Sequence, residues 1–163
     1  MMQFSHLDEQ GAGRMVDVGD KGITDRTARA SGQVRMAATT LQLLQAQQLP
    51  KGNVLEIARL AGIMAAKRTS ELIPLCHNLP LDSVAVDIRF VDDRTVVIEA
   101  TVRTRGRTGA EMEALTAVSL TALTIYDMCK SVDKAITLDA IRLEEKTGGD
   151  SGHYVRANDP PLA

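Results

Sequence analysis

The sequence predicts an α+β fold, namely a ferredoxin-like antiparallel sheet with helices packed on one face. Three observations support it: two successive helical segments in the first half, two alternating strands in the middle, and a long helix followed by a last strand. The order strand, helix pair, two strands, helix, strand is the split βαβ pattern of this fold class. Because the architecture hosts many activities, it predicts no function by itself.

The first half is predicted to contain one strand and two helices. Residues 27–36 form a weak strand candidate, and residues 37–48 follow as a short helix. Asn53 is suited to cap the second helix, with Glu56 three residues on as its capping-box partner. Apolar residues recur at helical spacing through 55–72, so we expect this helix to be a single unbroken element.

The second half holds the clearest strands. Residues 84–90 and 96–102 each alternate apolar side chains with others, which is typical of half-buried strands. Residues 92–94 join them as a hairpin turn. A final strand is predicted over 136–143, with a bulge at 139–140.

One long helix is predicted over 108–130. It carries no charged residue from 114 to 126, whereas a surface helix normally shows charge on its outer face. We therefore expect it to be buried on every side, at a subunit interface. Glu113 and Asp127 share one face but lie about 21 Å apart at the helical rise per residue. Either they contact opposite ends of a long ligand, or each belongs to a different site that a neighbouring subunit completes; the uncharged middle favours the second.

Helical geometry also divides the side chains of this helix by face. The sheet-facing stripe is predicted to be Met112, Leu115, Val118, Ala122, Ile125 and Cys129. Thr108 and Glu111 match a capping box, which gives Glu111 a structural role. Asp127 and Lys130 fit two interpretations: a surface ion pair at (i, i+3) spacing, or a proton-transfer pair in which each shifts the other's pKa.

Cys76 and His77 follow Pro74 in a predicted loop. A loop histidine suits proton transfer or ligand contact, although a structural histidine is the simpler alternative. We expect no metal here, because adjacent side chains on an extended chain point apart and no second ligand pair stands at zinc spacing.

Basic residues recur where loops are expected: Arg26, Lys51, Lys67, Arg68, Arg103, Arg105, Arg107, Lys130 and Lys146. Individually, most are expected to be solvated. The chain has no P-loop motif, and Glu111 and Glu113 would repel a phosphate from the start of the long helix. A bound anion would therefore be held by separate lysine and arginine side chains, which favours a polyanionic small ligand only weakly.

Composition limits the class of protein. The 163 residues suit one domain, predicted at 26–146, with an N-terminal arm at 1–25 and a flexible tail at 147–163. The 19 basic and 21 acidic residues nearly balance, which indicates neither nucleic acid nor an acidic membrane as a partner. Two cysteines without a CxxC pair, no apolar run of spanning length and a polar N-terminus predict a soluble, reduced, cytoplasmic protein.

Five segments of the sequence resemble one known family. They are MVDVGDK at 15–21, KGNVLEIARLAGIMAAKRT at 51–69, LIPLCHNLPL at 72–81, TGAEMEALTAVSLTALTIYDMCK at 108–130 and KTGGDSG at 146–152. With these motifs the chain resembles the cyclic pyranopterin monophosphate synthases, the molybdenum cofactor biosynthesis protein C family. The resemblance spans nearly the whole chain, and LIPLCH, EMEALTA and LTIYDMCK are highly specific.

The resemblance implies a lyase that converts (8S)-3′,8-cyclo-7,8-dihydroguanosine 5′-triphosphate, a nucleotide derived from GTP, to cyclic pyranopterin monophosphate and diphosphate. It implies a homohexamer, a trimer of dimers of ferredoxin-like subunits, with active sites at subunit interfaces. On this basis no cofactor is required, Mg²⁺ carried by the triphosphate is compatible with the sequence, and neither nucleic acid nor a membrane is a partner.

The resemblance also assigns roles to residues at matching positions. Asp127 is implied to be the catalytic acid or base, with Lys130 beside it and Lys51 as a further catalytic candidate. The implied substrate contacts are Leu75, Cys76, His77, Met112 and Glu113, followed by Arg26, Lys67 and Lys146 as triphosphate or loop contacts.

Two interpretations other than an enzyme stay open at the level of sequence. A non-catalytic ferredoxin-like module could oligomerise and sense an ordinary nucleotide, binding it tightly without turnover. Alternatively, the long helix serves only as an assembly face, although this does not explain why ionisable groups stand at both of its ends.

Overall fold

A computed structural model describes residues 10–49, 51–149 and 152–157. It contains one antiparallel sheet of five strands in the spatial order β2-β3-β1-β4-β5, with the helices packed against it. In chain order the elements are β1 (Thr24–Arg35), α1 (Ala38–Gln45), α2 (Val54–Ala66), α3 (Thr69–Leu72), β2 (Leu81–Phe90), β3 (Thr95–Gly106), α4 (Glu111–Cys129), β4 (Thr137–Thr147) and β5 (Tyr154–Val155). This arrangement confirms the predicted α+β class.

β1 is the central strand and pairs with β3 on one side and β4 on the other. Its buried positions alternate: Arg26, Ala28, Ala30, Gly32 and Val34. Most of these residues are small, which explains the weak apolar pattern of this strand in the sequence. A Cβ on Gly32 would lie 2.6 Å from Val118 Cγ1, so glycine at this position lets α4 lie close to the sheet.

α4 is covered on two sides, because it lies between the sheet and α2. α2 approaches it at Gly62, where an added Cβ would overlap the Thr121 hydroxyl and lie 2.9 Å from the Ala117 carbonyl oxygen. The buried part of α4 is therefore wider than one stripe and includes Thr116 and Thr121.

The predicted sheet-facing stripe of α4 is correct over most of the helix and wrong at its start. Its buried members are Val118, Ala122, Ile125 and Cys129. Leu115 is only partly buried, and Met112 is exposed. Met112 lies in the first turn of α4, where it lines a surface cavity and does not enter the core.

The second predicted helix is interrupted, so the prediction of one unbroken helix over 55–72 is wrong. α2 ends at Ala66, and the one-turn helix α3 begins at Thr69. The hydroxyl of Thr69 donates to the carbonyl oxygens of Ala65 and Ala66, at 3.3 and 3.1 Å. These bonds satisfy carbonyl groups that the end of a helix leaves without partners.

Three local predictions are confirmed. Asn53 Oδ1 accepts from the backbone N–H of Glu56 at 3.3 Å and caps α2, although the Glu56 carboxylate, predicted as its capping-box partner, accepts from Arg59 Nε at 3.2 Å. Residues 91–94 connect β2 to β3 as a hairpin. In β4 the pairing with β1 shifts register near Ala140, whose φ of 50° marks the predicted bulge.

β5 is an unpredicted strand of two residues, which pairs Val155 with Glu145 and Tyr154 with Lys146. Parts of the predicted arm (1–25) and tail (147–163) lie outside the described residues. The division of the chain into arm, domain and tail stays a prediction. In the described part of the chain, no helix has the length and apolar character that crossing a membrane requires.

Candidate active site

The exposed C-terminal end of α4 brings three ionisable side chains together. Lys130 Nζ lies 2.6 Å from Asp127 Oδ1, and Lys51 Nζ lies 3.2 Å from Asp127 Oδ2. Each lysine thus contacts a different oxygen of one carboxylate. The structure therefore joins the three residues predicted as catalytic, although Lys51 and Asp127 are 76 positions apart in the sequence.

Local geometry explains how both lysines reach Asp127. Lys130 follows it by three positions, and residues at that spacing are neighbours on a helix surface. Lys51 comes from the loop between α1 and α2, and its Nζ also donates to the backbone carbonyl of Asp127 at 3.0 Å. That carbonyl belongs to the last turn of α4, where carbonyl groups lack helical partners. Lys51 therefore binds both the side chain and the main chain of one residue.

The two lysines keep Asp127 ionised. Hydrogen bonds from Lys130 and Lys51 lower the pKa of Asp127 below its ordinary value of 3.8. The carboxylate in turn raises the pKa of Lys130 above its ordinary value of 10.5. The side chain of Asp127 is 54% exposed, so a ligand can reach it. The arrangement is an accessible proton acceptor flanked by two cations.

A second cluster surrounds a cavity of about 310 Å³ at the start of α4. The residues that line it are Leu75, Cys76, His77, Leu79, Thr108, Gly109, Glu111, Met112 and Glu113. The structure thus brings together the five residues that the resemblance assigns to direct substrate contact. The other four lining residues were not predicted to contact substrate, and only their nearness in sequence to the predicted ones indicates them: Leu79, Thr108, Gly109 and Glu111.

Glu113 is the buried acid of this cavity, with 4% of the residue exposed. Burial raises the pKa of Glu113 to about 7, and the nearby charge of Glu111 adds to the effect. Burial and the charge of Glu113 also raise the pKa of the Cys76 thiol. Near neutral pH, Glu113 can therefore donate or accept a proton, whereas Cys76 stays a thiol.

His77 is oriented by the N-terminal segment. Its Nε2 lies 2.7 Å from the backbone carbonyl oxygen of Val16. A carbonyl oxygen only accepts hydrogen bonds, so Nε2 carries a proton and Nδ1 of the neutral ring is an acceptor. No motif in the sequence indicates this contact, because it joins residues 61 positions apart.

The capping-box prediction for Thr108 and Glu111 is wrong. Ala110 occupies the N-cap of α4, and no side chain caps the helix there. Glu111 Oε1 instead binds Lys146 Nζ of β4 at 2.7 Å. The Glu111 carboxylate thus binds a lysine of β4 and does not cap α4. Because Glu111 lines the cavity, this ion pair places Lys146 at the edge of the cavity.

Arg26 and Lys67 do not line the cavity. Arg26 is 9% exposed, and it donates from Nε to the Gly106 carbonyl at 3.0 Å and from Nη2 to the Arg107 carbonyl at 3.1 Å. It thereby holds the end of β3, just before the turn that leads into α4. Lys67 is exposed and lines a separate groove between α2 and β2.

The two clusters remain apart within one chain. α4 is continuous between them, so Glu113 and Asp127 lie about 21 Å apart along its axis. Lys51, Asp127 and Lys130 do not line the cavity. A single small reacting centre cannot contact both clusters of the same chain.

These features define an α+β protein that places acid–base groups at both ends of one helix. Residues 15–149 match the MoaC family. The chain is 62% identical over 156 residues to the cyclic pyranopterin monophosphate synthase of Roseiflexus sp. (strain RS-1). The aligned residues cover 95% of the chain and 99% of that protein. It is 58% identical over 153 residues to the synthase of Parvibaculum lavamentivorans, and the aligned residues cover 93% of the chain and 96% of that protein.

A third relative is cyclic pyranopterin monophosphate synthase 3 of Mycobacterium tuberculosis (strain ATCC 25618 / H37Rv), at 59% identity over 153 residues, with 94% and 86% covered. The chain therefore belongs to the MoaC family, the cyclic pyranopterin monophosphate synthases of molybdenum cofactor biosynthesis. It is accordingly an enzyme, a lyase, which excludes a non-catalytic binding module and a purely structural protein.

Proposed function

We propose that the chain converts (8S)-3′,8-cyclo-7,8-dihydroguanosine 5′-triphosphate to cyclic pyranopterin monophosphate and releases diphosphate. The observation that supports it most directly is an accessible carboxylate, Asp127, held between two lysines. The conversion opens one ring, closes another and forms a cyclic phosphate as diphosphate leaves. Such steps need several proton transfers and cationic stabilisation of phosphate charge.

Asp127, Lys51 and Lys130 are the proposed catalytic groups. The ionised carboxylate of Asp127 can take a proton from the substrate and return it at a later step. Because its raised pKa makes Lys130 a weak proton donor, we assign it chiefly the stabilisation of negative charge. Lys51 sits on a loop and contacts Asp127 from the other side, so it is the proposed second proton donor.

The cavity at the start of α4 is the proposed site for the guanine-derived ring. Leu75 and Met112 supply apolar walls, and Cys76 adds a neutral thiol. When its ring is neutral, His77 offers an acceptor at Nδ1, and Glu113 can donate or accept a proton near neutral pH. Apolar walls with a few placed polar groups are typical of sites that bind a planar heterocycle.

Three basic residues have proposed roles in triphosphate binding, two by direct contact and one through a loop: Lys146, Lys67 and Arg26. Lys146 reaches the cavity edge through its contact with Glu111 and can release that carboxylate to bind phosphate oxygen. Lys67 is exposed and free to contact phosphate directly. Arg26 already uses its guanidinium to hold two backbone carbonyls, so it supports the loop that leads into α4.

A second copy of the chain is proposed to complete each active site. The outer side of α2 exposes an apolar stripe, Ile57, Leu60 and Met64, and the adjacent helix α4 exposes Leu123. Contiguous exposed apolar side chains mark contact surfaces. A two-fold axis perpendicular to α4 would run the two copies of this helix antiparallel, so the cavity of one subunit would face Asp127 of the other. Three such dimers would form the proposed homohexamer.

We propose that the enzyme needs no cofactor of its own and that Mg²⁺ enters with the triphosphate. Magnesium commonly binds through substrate phosphates and keeps several water ligands. Among the described residues, no group of three or more His, Cys, Asp or Glu side chains could hold a metal ion. The proposed place of the reaction is the cytoplasm.

Mixing variant subunits tests the activity and the shared site together. Asp127→Ala and His77→Ala are each expected to abolish diphosphate release while the far-UV circular dichroism stays unchanged. Subunits of the two variants that are dissociated and reassembled together should regain about a quarter of the wild-type activity, because half of random dimers are mixed and each of these holds one intact site. The matched control mixes Asp127→Ala with Lys130→Ala, which change the same end and should regain nothing.

The outcomes separate the two parts of the proposal. Near-normal turnover by Asp127→Ala and Lys130→Ala would remove the acid–base assignment. Inactive single variants that regain no activity after mixing would keep that assignment and refute the shared site.

A further inference from the structure

Asp133 connects two parts of the molecule that the proposed chemistry needs together. It lies in the turn after α4, where its backbone N–H donates to the Cys129 carbonyl at 3.1 Å. Its Oδ2 reaches the start of α1 and accepts from the Ala37 N–H at 2.9 Å and from the Thr40 hydroxyl at 3.2 Å. Its Oδ1 accepts from the Ala135 N–H at 2.9 Å, which fixes the carboxylate.

α1 has no N-terminal cap of its own. Its N-cap residue is Ala37, which has no side-chain oxygen to bind the exposed N–H groups. The first turn of a helix leaves such groups without partners, and a negative charge there is also favoured by the helix dipole. Asp133, 96 positions along the chain from Ala37, supplies both the hydrogen-bond acceptor and the negative charge. Its removal would therefore release the start of α1 from the end of α4.

The other end of α1 leads directly to Lys51. α1 ends in a Schellman motif, in which two successive backbone N–H groups donate to carbonyls in the last turn at 3.2 and 3.0 Å. Leu49 is then buried in the core, and Lys51 follows two residues later. Residues 38–49 are thus one connected unit that ends two positions before Lys51, so a bond that fixes the start of α1 also limits where the Lys51 amine can lie.

We propose that Asp133 is a positioning residue of the reaction, which keeps Lys51 against Asp127 by holding the start of α1 to the end of α4. The inference rests on the function proposed above for the contact between Lys51 and Asp127. In the described part of the chain, Asp133 forms no hydrogen bond or ion pair with either of them. Its influence therefore passes through α1.

A pair of substitutions separates positioning from stability. Asp133→Ala removes the connection and the cap, and it is expected to lower both turnover and the thermal unfolding midpoint. Adding Ala37→Ser restores a cap within α1, because serine is a favoured N-cap residue and Ala37 already has extended backbone geometry. The double variant should regain stability without regaining the connection to α4. Ala37→Ser alone is the control and should keep wild-type turnover.

The expected readouts for the double variant are kinetic and local. We expect kcat to fall roughly tenfold to a hundredfold with little change in KM, because a catalytic group displaced by about 1 Å loses that much rate. Hydrogen exchange of the peptide that covers residues 46–53 should be faster than in the wild type, since local opening controls exchange. Asp133→Asn keeps one acceptor oxygen and should fall between the wild type and the double variant on both measures.

Two results would overturn the inference. One is a double variant whose kcat stays within about twofold of the wild type; the other is unchanged hydrogen exchange over residues 46–53. Lys51→Ala, assayed alongside, shows which proposal fails. If Lys51→Ala keeps normal turnover, the proposed catalytic cluster is wrong; if it is inactive while the double variant is normal, only the role of Asp133 is wrong.

Discussion

The two ends of α4 carry the same chemical group in opposite states. At the start, the carboxyl of Glu113 is buried and its pKa rises to about 7. At the end, the carboxyl of Asp127 is exposed between two lysines and its pKa falls below 3.8. The contrast shows how one helix can hold one carboxyl group that is partly protonated near neutral pH and another that is ionised before substrate binds.

The contrast is instructive because the helix dipole alone predicts the reverse. A negative charge is favoured near a helix N-terminus and disfavoured near a C-terminus, so the dipole would lower the pKa of Glu113 and raise that of Asp127. Burial outweighs the dipole at Glu113, and bonded lysines outweigh it at Asp127. Surroundings built by tertiary contacts therefore set both protonation states.

The largest expected effect follows from the loss of the charge at the exposed end. Asp127→Asn keeps the size of the side chain but can no longer accept a proton, so kcat should fall by roughly 100-fold or more. Diphosphate release from the cyclic nucleotide triphosphate, measured at saturating substrate, checks this value. Asp93→Asn changes an exposed carboxylate in the hairpin between β2 and β3 and should keep normal turnover. Equal activity of the two variants would contradict the catalytic assignment.

Local sequence patterns were sufficient for most of the fold, whereas most members of the two clusters were named only by the family resemblance. Alternation predicts β2 and β3, and the uncharged run predicts α4, because these signals depend on residues close in the chain. The resemblance names residues 75–77, 112–113, 127 and 130, because the motifs that carry it lie within single segments. The structure adds how these segments meet.

Features that depend on distant partners could not be predicted. Glu111 matches a local capping box, yet Lys146 binds it from β4. Ala37 carries no cap signal, because its partner Asp133 lies far along the chain. β5 has only two residues, too few for a periodic pattern, and it forms where β4 offers a free edge. At Glu111 a tertiary contact overrides a local motif. At Ala37 and β5 a tertiary contact forms where the local sequence carries no signal.

The second expected effect is a pH dependence of stability that arises from the buried end. The pKa of Glu113 is about 7 in the folded protein, against 4.5 for the ordinary group. Folding therefore favours the protonated form, and the stability of the wild type should fall as the pH rises from 4.5 through 7. Glu113→Gln imitates the protonated form and should remove this loss.

The measurement is denaturant unfolding of wild type and Glu113→Gln at about pH 5 and about pH 8. The free energy of unfolding of the variant, relative to that of the wild type, should rise by roughly 2 to 3 kcal/mol between these two pH values. Glu71→Gln, at an exposed glutamate on α3, is the matched control and should show no such shift. A stability difference that stays constant with pH would mean that Glu113 is ionised in the folded state, and the contrast between the two ends of α4 would disappear.

The smallest expected effect concerns the stability of the exposed end. Lys51→Met and Lys130→Met each remove one ion pair with Asp127, and exposed ion pairs contribute little to stability. The thermal midpoint should therefore change by less than about 2 °C in either variant. The small contribution of each pair is present at neutral pH and is lost as the pH falls through the lowered pKa of Asp127.

Carbon NMR titration of the Asp127 carboxyl checks the other half of this prediction. The pKa of Asp127 should rise in both variants, and more in Lys130→Met, because Lys130 makes the larger contribution. A large loss of stability with an unchanged pKa would mean that the lysines hold the fold together and do not set the charge state of Asp127.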